Sequence, residues 1–309
     1  MEKRRIGSLE VSVVGLGCNN FGWRIAAPAT ARVIGAALDS GINFFDTADM
    51  YGAGKSEEFL GQALGSRRKQ IVLATKFGLP MGEGDEQRKG AKPAYVRQAV
   101  EDSLRRLGTD VIDLYQLHTP DASTPIGDTL EALDGLVRAG KVRVIGCSNF
   151  SAEQLREAES AVKAGAARFV SVQNEYSLIH RQPEPAVLPE CVRRGIAFIP
   201  YFPLANGLLT GKYRRGQPLP AGSRAKDGFG PKIFTDDNLA KAEALEAFAA
   251  LHGHTLLELA VSWLAAQPAV CSVIAGAKSP EQVRTNAGAA GWKLGPKDLA
   301  EMDRILTTG

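Results

Sequence analysis

Eight short apolar runs, VVGLGC, INFFDTA, IVLATKF, VIDLYQLH, VRVIGCSN, FVSVQNEY, AFIPYFPL and CSVIAG, recur along the chain with amphipathic segments between them. No other feature limits the fold as strongly. Runs such as IVLAT are apolar at odd and even positions alike, as expected for parallel strands covered on both faces and not for half-exposed hairpins. The intervening segments begin like helices: Pro93 stands near the start of one and Thr124-Pro125 at another. Capping boxes are predicted at Ser151 with Gln154, Thr255 with Glu258 and Ser279 with Gln282. Gly140 and Gly253 close two further helices. Eight strands alternating with helices, at roughly 30 residues per unit, predict a (β/α)8 TIM barrel. A doubly wound open sheet with a second domain is the alternative.

No Pro/Gly/Ser-rich linker, low-complexity tract or close repeat divides the chain, so residues 1–309 are read as a single barrel domain. RRIGSLEV, ahead of the first run, is expected to form a short N-terminal hairpin plugging the barrel bottom, and residues 296–306 an extra C-terminal helix. Two long loops, residues 78–92 and 205–235, are the kind that carry function or move. A hydrophobic content of 44% supports a sizeable core, and 37 Lys plus Arg against 34 Asp plus Glu leave a formal charge of +3. That balance gives no reason to expect nucleic acid or a membrane surface as partner, so any anion site must be local. Cys18, Cys147, Cys191 and Cys271 are scattered without a C-x-x-C pair, which suggests neither a disulfide framework nor a zinc knuckle and fits a reducing, cytoplasmic setting. The N-terminal MEKRRIGSLEV lacks the apolar stretch of a signal peptide, and LLELAVSWLAA carries Glu258 and is too short to span a bilayer.

Three familiar patterns fail on inspection. GLGCNNFG has Asn20 where a dinucleotide fingerprint needs glycine, and GAGKS has Asp49 where a phosphate-binding loop needs one. Ser56 is read instead as a helix cap. The HGH at His252 to His254 falls at a helix–helix turn with no third ligand, so it is read as a solvated turn and no metal is expected.

In a barrel of this kind the chemistry sits at the C-terminal ends of the strands. The second run ends at Asp46, the third at Lys76, the fourth at His118, the fifth at Ser148 and Asn149, the sixth at Gln173 and the seventh at Tyr201, with Tyr51 over the same rim. Each has an ordinary explanation by itself, as a turn residue or a solvated strand end. Together, a carboxylate, an ammonium, a phenol and an imidazole at one mouth suit proton delivery to a carbonyl oxygen. A free phenol, with a pKa of about 10, exchanges protons poorly at neutral pH; an ammonium beside it is expected to lower that value. Lys76 fits that part, Asp46 would hold Lys76 charged, and His118 would donate a second hydrogen bond to the carbonyl oxygen.

The same residues lie in a longer pattern. DTADMYGAGKSEE, then ATK, then the histidine after LYQL, are similar to the signatures of the aldo-keto reductases. The likeness continues through GCSNF, VQNEYS, YFPLANGLLTGKY and AGAKSPEQVRTN, nearly the whole chain. The resemblance implies a (β/α)8 reductase that binds NADPH, in preference to NADH, across the barrel mouth without a Rossmann domain. It implies Tyr51 as general acid with Lys76, Asp46 and His118 completing a tetrad. Tyr201 would stack on the nicotinamide, with Ser148, Asn149 and Gln173 at its carboxamide. Gly17, Phe202, Pro203, Leu204, Asn206, Gly276, Gln282 and Asn286 would complete the cradle. SPEQ opens a helix directly after the eighth run, and its N-terminus is an anion site in its own right. Lys212, Arg224 and Lys278 would supply charge for a diphosphate and a 2′-phosphate.

Some positions depart from the family pattern. Phe202 stands where many relatives have serine, and Gly276, Gln282 and Thr285 where many carry lysine, arginine and glutamate, which leaves Lys278 as the main candidate for the 2′-phosphate. Trp23, with Tyr51 and His118, is expected on the substrate side, together with Phe77 and the TPDAST loop. Little chain follows the last helix to close the mouth, so an open pocket accepting various small aldehydes or ketones is expected. A cofactor-binding regulatory or sensor subunit, as in the potassium-channel β subunits that resemble this family, is the competing reading; His118, where those subunits have asparagine, counts against it. A metal-dependent isomerase or hydrolase would need several carboxylate or histidine ligands at adjacent strand ends, and only Asp46 and His118 qualify. The sequence leaves monomer and homo-oligomer open.

Overall fold

A computed structural model describes residues 1–82, 84, 85, 87–220 and 230–307. The chain opens with a hairpin, β1 (Lys3–Ile6) and β2 (Leu9–Ser12), antiparallel and turned at Gly7 in the left-handed region (φ 56°). Eight parallel strands follow: β3 (Val14–Gly17), β4 (Phe44–Asp46), β5 (Val72–Phe77), β6 (Ile112–Leu117), β7 (Val142–Ser148), β8 (Phe169–Glu175), β9 (Ala197–Tyr201) and β10 (Val273–Gly276). They form one sheet in the order β10-β3-β4-β5-β6-β7-β8-β9. Between its two ends Phe198 bridges Val270, its N–H donating to Ala269 O at 2.8 Å and its carbonyl accepting from Cys271 N at 3.0 Å. The barrel is thereby nearly closed, and each of the eight apolar runs supplies one of its strands.

Strands β5 and β6 are buried at every position, because one face meets the barrel interior and the other the helices. The interior is filled from below by Ile6, Leu9 and Val11 of the hairpin, packed against Phe44, Val72, Leu114, Ile199 and Ile274. Outside run α1 (Ala27–Asp39), α2 (Lys55–Leu64), α3 (Pro93–Leu107), α4 (Ile126–Arg138), α5 (Ala152–Ala161), α6 (Val187–Arg194), the short α7 (Gly230–Ile233), α8 (Asp236–Leu251), α9 (Leu256–Ala266), α10 (Pro280–Gly288) and the appended α11 (Pro296–Thr307). In α3 the sequence explains each feature: Pro93 sits in the first turn, Val96, Ala99, Val100, Ser103, Leu104 and Leu107 form the buried stripe, and Gly108 (φ 61°) ends it.

The capping boxes at Ser151/Gln154 and Thr255/Glu258 both form. The third forms by half. Ser279 accepts from Gln282 N, but the Gln282 amide oxygen turns to the Lys278 N–H (2.8 Å), the orphan donor that the chain presents on leaving β10. Ser56 is no cap either. The left-handed run Gly52, Ala53, Gly54 starts α2 at Lys55, so Ser56 falls inside the first turn and its buried hydroxyl bonds Cys18 O (2.9 Å) and Thr47 Oγ1 (2.8 Å). The HGH turn is more than solvated: His254 stacks on Trp292 at 4.3 Å, and His252 packs on Phe248. Part of the second long loop is a 3₁₀ helix, Ala205–Thr210. No helix among the described residues is long and apolar enough to cross a membrane.

Helices α2 and α3 meet at Gly61, where an added Cβ would lie 2.4 Å from the Leu107 carbonyl oxygen. In an open helix, Gly→Ala gains up to about 1 kcal/mol. Here the backbone of α3 blocks the methyl group, so Gly61→Ala is expected to destabilise by about 1–3 kcal/mol, read as a lower urea midpoint. An unchanged or higher midpoint would show that the two helices separate freely.

Candidate active site

Side chains alternate along each strand, so one step of two residues moves up one layer of the barrel interior. Phe44, Ala74, Leu114 and Ile199 lie in the apolar layer. Two residues on stand Asp46, Lys76, Gln116 and Tyr201, the polar layer above it. Gln116 escaped the sequence reading, which took the residue closing each run; the alternation in IDLYQL points to it directly.

Lys76 is fully buried and donates to Asp46 Oδ2 at 2.5 Å and to Thr47 O at 2.9 Å. The other Asp46 oxygen accepts from Gln173 Nε2 (2.9 Å) and Gln116 Nε2 (3.1 Å). Burial pulls the Lys76 pKa down, but the charge of Asp46, with Tyr51 and hydrogen bonds to both, outweighs it and leaves the ammonium above its ordinary range. Lys76 Nζ lies 5.3 Å from the Tyr51 ring centroid. The expected lowering of the Tyr51 pKa is not what the structure shows. Burial dominates and pushes the phenol up; Lys76 pulls it back, and the negative charge of Asp46 beside Lys76 raises it again. Tyr51 therefore keeps its proton through the neutral range and is held as a phenol.

His118 follows β6, and its ring stands edge-on to Tyr51 with centroids 5.9 Å apart. Burial, with Lys76 adding to it, holds its pKa down at about 3, so the imidazole is neutral at ordinary pH. Nδ1 is buried without a partner, which leaves Nε2 facing the cavity. A buried lone pair without a partner is better tolerated than a buried N–H without one, so the proton belongs on Nε2.

A cavity of about 730 Å³ runs from Asp46, Tyr51 and His118 along the strand ends to the N-terminus of α10. Gly17, Ser148, Asn149 and Gln173 line it, as does Tyr201. These polar groups are already tied together: Tyr201 donates to Asn149 Oδ1 (2.9 Å), Asn149 Nδ2 to His118 O (2.9 Å), and Ser148 to Gln173 O (2.7 Å). Gln173 spends its amide N–H on Asp46, which leaves its oxygen for a ligand. Phe202, Pro203, Leu204 and Asn206 form the next stretch of wall, and Lys212, Gly276, Lys278, Gln282 and Asn286 the far end. An added Cβ at Gly276 would lie 3.1 Å from Asn19 Oδ1 and 3.2 Å from Asn20 Nδ2, so these amides occupy the room a larger residue there would need. Asn149, Phe202 and Asn206 on this wall, the buried Ala205 next to Asn206, and Ala53 near Tyr51 are non-glycine residues with φ between 44° and 62°. Strain of this kind gathers where a site is held in one shape.

Not every candidate lines the cavity. Lys76 lies beneath it, Trp23 is 73% exposed outside its lining, and Phe77 is buried, stacked on Tyr115 at 4.7 Å. Phe77 therefore serves the core and not a substrate pocket. Arg224 lies outside the described residues. Asn19, Met50, Leu79 and Glu175, not singled out in the sequence, do line the cavity. Among the described residues no group of three His, Cys, Asp or Glu side chains is placed to hold a metal.

A parallel eight-stranded barrel with a buried ion pair, a phenol and a neutral imidazole at its C-terminal mouth defines a barrel protein equipped for proton transfer. The sequence model of the Aldo/keto reductase family matches residues 13–307, and the chain belongs to that family. It is 36% identical over 306 residues to Aldo-keto reductase YhdN of Bacillus subtilis (strain 168), covering 96% of this chain and 91% of the relative. A probable voltage-gated potassium channel subunit beta of Arabidopsis thaliana is 35% identical over 300 residues, 93% of this chain and 90% of that one. Among solved structures, a glycerol dehydrogenase from Gluconobacter oxydans superposes with a TM-score of 0.87 at 34% identity, covering 99% of this chain and 95% of the other. The holo form of an aldo-keto reductase from Bacillus halodurans gives 0.83 at 33%, covering 100% and 97%. Enzymes of this family are oxidoreductases that act on small carbonyl compounds and generally use nicotinamide cofactors.

Proposed function

We propose that this protein reduces aldehydes or ketones to alcohols with NADPH, and that Tyr51 delivers the proton. The observation that carries the reading is the pairing of Tyr51 and His118 across the cavity, 5.9 Å between rings, directly above the Asp46–Lys76 ion pair. The residues present suit a dinucleotide: the cavity is within the range of ligand sites, Tyr201 offers an aromatic face, and the far end has the α10 N-terminus with Lys212 and Lys278 against one carboxylate, Glu281. Those two ammonium groups support NADPH over NADH. When bound, the reduced nicotinamide supplies a hydride.

The chain's own groups do the rest. A carbonyl oxygen placed between Tyr51 and His118 would accept hydrogen bonds from both, and as negative charge grows on it the Tyr51 proton moves across. Lys76 then faces the phenolate, and Asp46, held by two amide donors, keeps Lys76 protonated throughout. His118, neutral, polarises the oxygen without competing for the proton. All four cysteines are free, which suits the reducing cytoplasm proposed for this protein. Similarity to a probable potassium-channel β subunit supports a second reading, a cofactor-binding regulatory or sensor subunit.

Titration calorimetry with NADPH and NADH, followed by nucleotide-consumption assays over a panel of aldehydes and ketones, decides between them. Tighter binding of NADPH with turnover of several carbonyls is the expected result. Tight binding with no turnover would favour the regulatory reading, and no binding of either nucleotide would overturn both.

A further inference from the structure

Two residues before Tyr51, Asp49 carries a carboxyl group 1% exposed; among the described residues no side-chain donor reaches either of its oxygens, and only the adjacent Met50 main-chain N–H turns toward it. The proton path through Tyr51 and Lys76 does not use it. Its main-chain N–H donates to Lys76 O at 3.0 Å and fastens the start of the Tyr51 loop to the end of β5. Charged and titratable groups of several elements lie around it, close enough to act on its charge. Glu57 of α2 is fully buried, accepting from Thr75 of β5 (2.6 Å) and from Arg106 of α3 (2.6 Å). Lys76 of β5 is already paired with Asp46. Tyr95 of α3 and Tyr115 of β6 add two phenols, and the buried Tyr115 hydroxyl also lacks a partner.

Two carboxyl groups lie near one guanidinium in a space closed to water, and only Glu57 is bonded to it. Glu57 holds the Thr75 and Arg106 donors, whereas a carboxylate at Asp49 would have no side-chain donor, only the Met50 N–H. We propose that Asp49 is kept as a neutral carboxylic acid and is the positioning residue for the loop that presents Tyr51, which loosens when that proton is lost. The loop needs such support. Gly52, Ala53 and Gly54 are left-handed in succession (φ 59°, 54° and 95°), and a Cβ on Gly54 would lie 2.8 Å from Arg106 Cδ, so the Arg106 stem carries the loop from beneath. A charge on Asp49 would compete with Glu57 for that guanidinium and draw it from under Gly54. Burial, reinforced by the Glu57 charge and opposed by Arg106, the Met50 N–H and Lys76, pushes the Asp49 carboxyl up to about 8.

The inference rests on Tyr51 as proton donor, and Asp49→Asn, neutral and of the same shape, tests it. Wild-type kcat should fall above about pH 8 while nucleotide affinity stays flat; in Asp49→Asn the fall should vanish, with kcat at pH 7 within about three-fold of wild type. A pH-difference infrared spectrum should show the carbonyl stretch of a protonated carboxyl group bleaching near that pH in wild type and absent from the variant. Hydrogen-exchange protection in residues 49–54, after correction for the intrinsic pH dependence of exchange, should fall above that pH only in wild type. Because the folded carboxyl keeps its proton where the unfolded one, with a pKa of about 3.9, has lost it, stability declines from about pH 4 to about pH 8. Asp49→Asn should therefore melt higher than wild type at pH 8 and equally near pH 4. An identical alkaline fall, infrared spectrum or exchange profile in the two proteins overturns the proposal. A wild type that reduces no carbonyl at any pH defeats the reductase reading instead, and the infrared and exchange comparisons still decide the state of Asp49.

Discussion

Tyr51→Phe is expected to bind NADPH as wild type does and to lose carbonyl reduction by about 10²–10⁴-fold in kcat, the usual contribution of a placed general acid. The substitution deletes one hydroxyl and leaves the ring that faces His118. Because the Tyr51 pKa is raised, the phenol holds its proton through the neutral range, and no alkaline loss of wild-type activity near pH 8 can be assigned to it. That separates its signature from the one expected of Asp49. Single-turnover measurements should place the whole loss in the chemical step, with nucleotide affinity unmoved. Turnover within a few-fold of wild type would mean that another group delivers the proton.

Asp46→Ala is expected to be the most destabilising change in the site, by about 3–5 kcal/mol, because it strands a buried ammonium. Lys76→Met should cost less. Asp46 would keep the amide donors of Gln116 and Gln173, whereas Lys76 without Asp46 keeps only the Thr47 carbonyl and the neighbouring phenol. Both variants should lose turnover. The folded pKa of Lys76 lies above its ordinary value, so the stabilisation by this pair is complete below about pH 10 and fades only as pH rises through the folded value. The wild-type contribution should accordingly be constant across the neutral range, while the cost of Asp46→Ala, read by urea denaturation, should shrink as pH rises and the stranded amine sheds its charge. Equal losses in the two variants would argue against a buried cation at Lys76.

Much of the architecture could be read directly. The eight apolar runs became eight barrel strands, RRIGSLEV the bottom hairpin and residues 296–306 most of a terminal helix, because burial on both faces and capping chemistry are properties of contiguous residues. The ends of the runs located Asp46, Lys76, His118 and Tyr201. What escaped was set by neighbours distant in sequence. Gln116 is ordinary until Asp46 and Gln173 close on it from other strands. Ser56 reads as a cap until the left-handed path from Gly52 shifts the helix start. Gln282 reads as half of a capping box until the departing chain offers it the Lys278 N–H.

The order of apolar and amphipathic segments by itself determined a parallel barrel with its chemistry at one mouth, since periodicity and strand-end placement are encoded locally. Protonation was decided by tertiary structure alone. A phenol beside an ammonium reads as acidified, yet closing the barrel removes the water that would stabilise its anion, and that loss outweighs the nearby charge. Likewise Asp49 looks like any loop carboxylate until folding encloses it with Glu57 and leaves one guanidinium for two acids. Solvent exclusion and charge pairing depend on three-dimensional proximity, which no linear pattern carries.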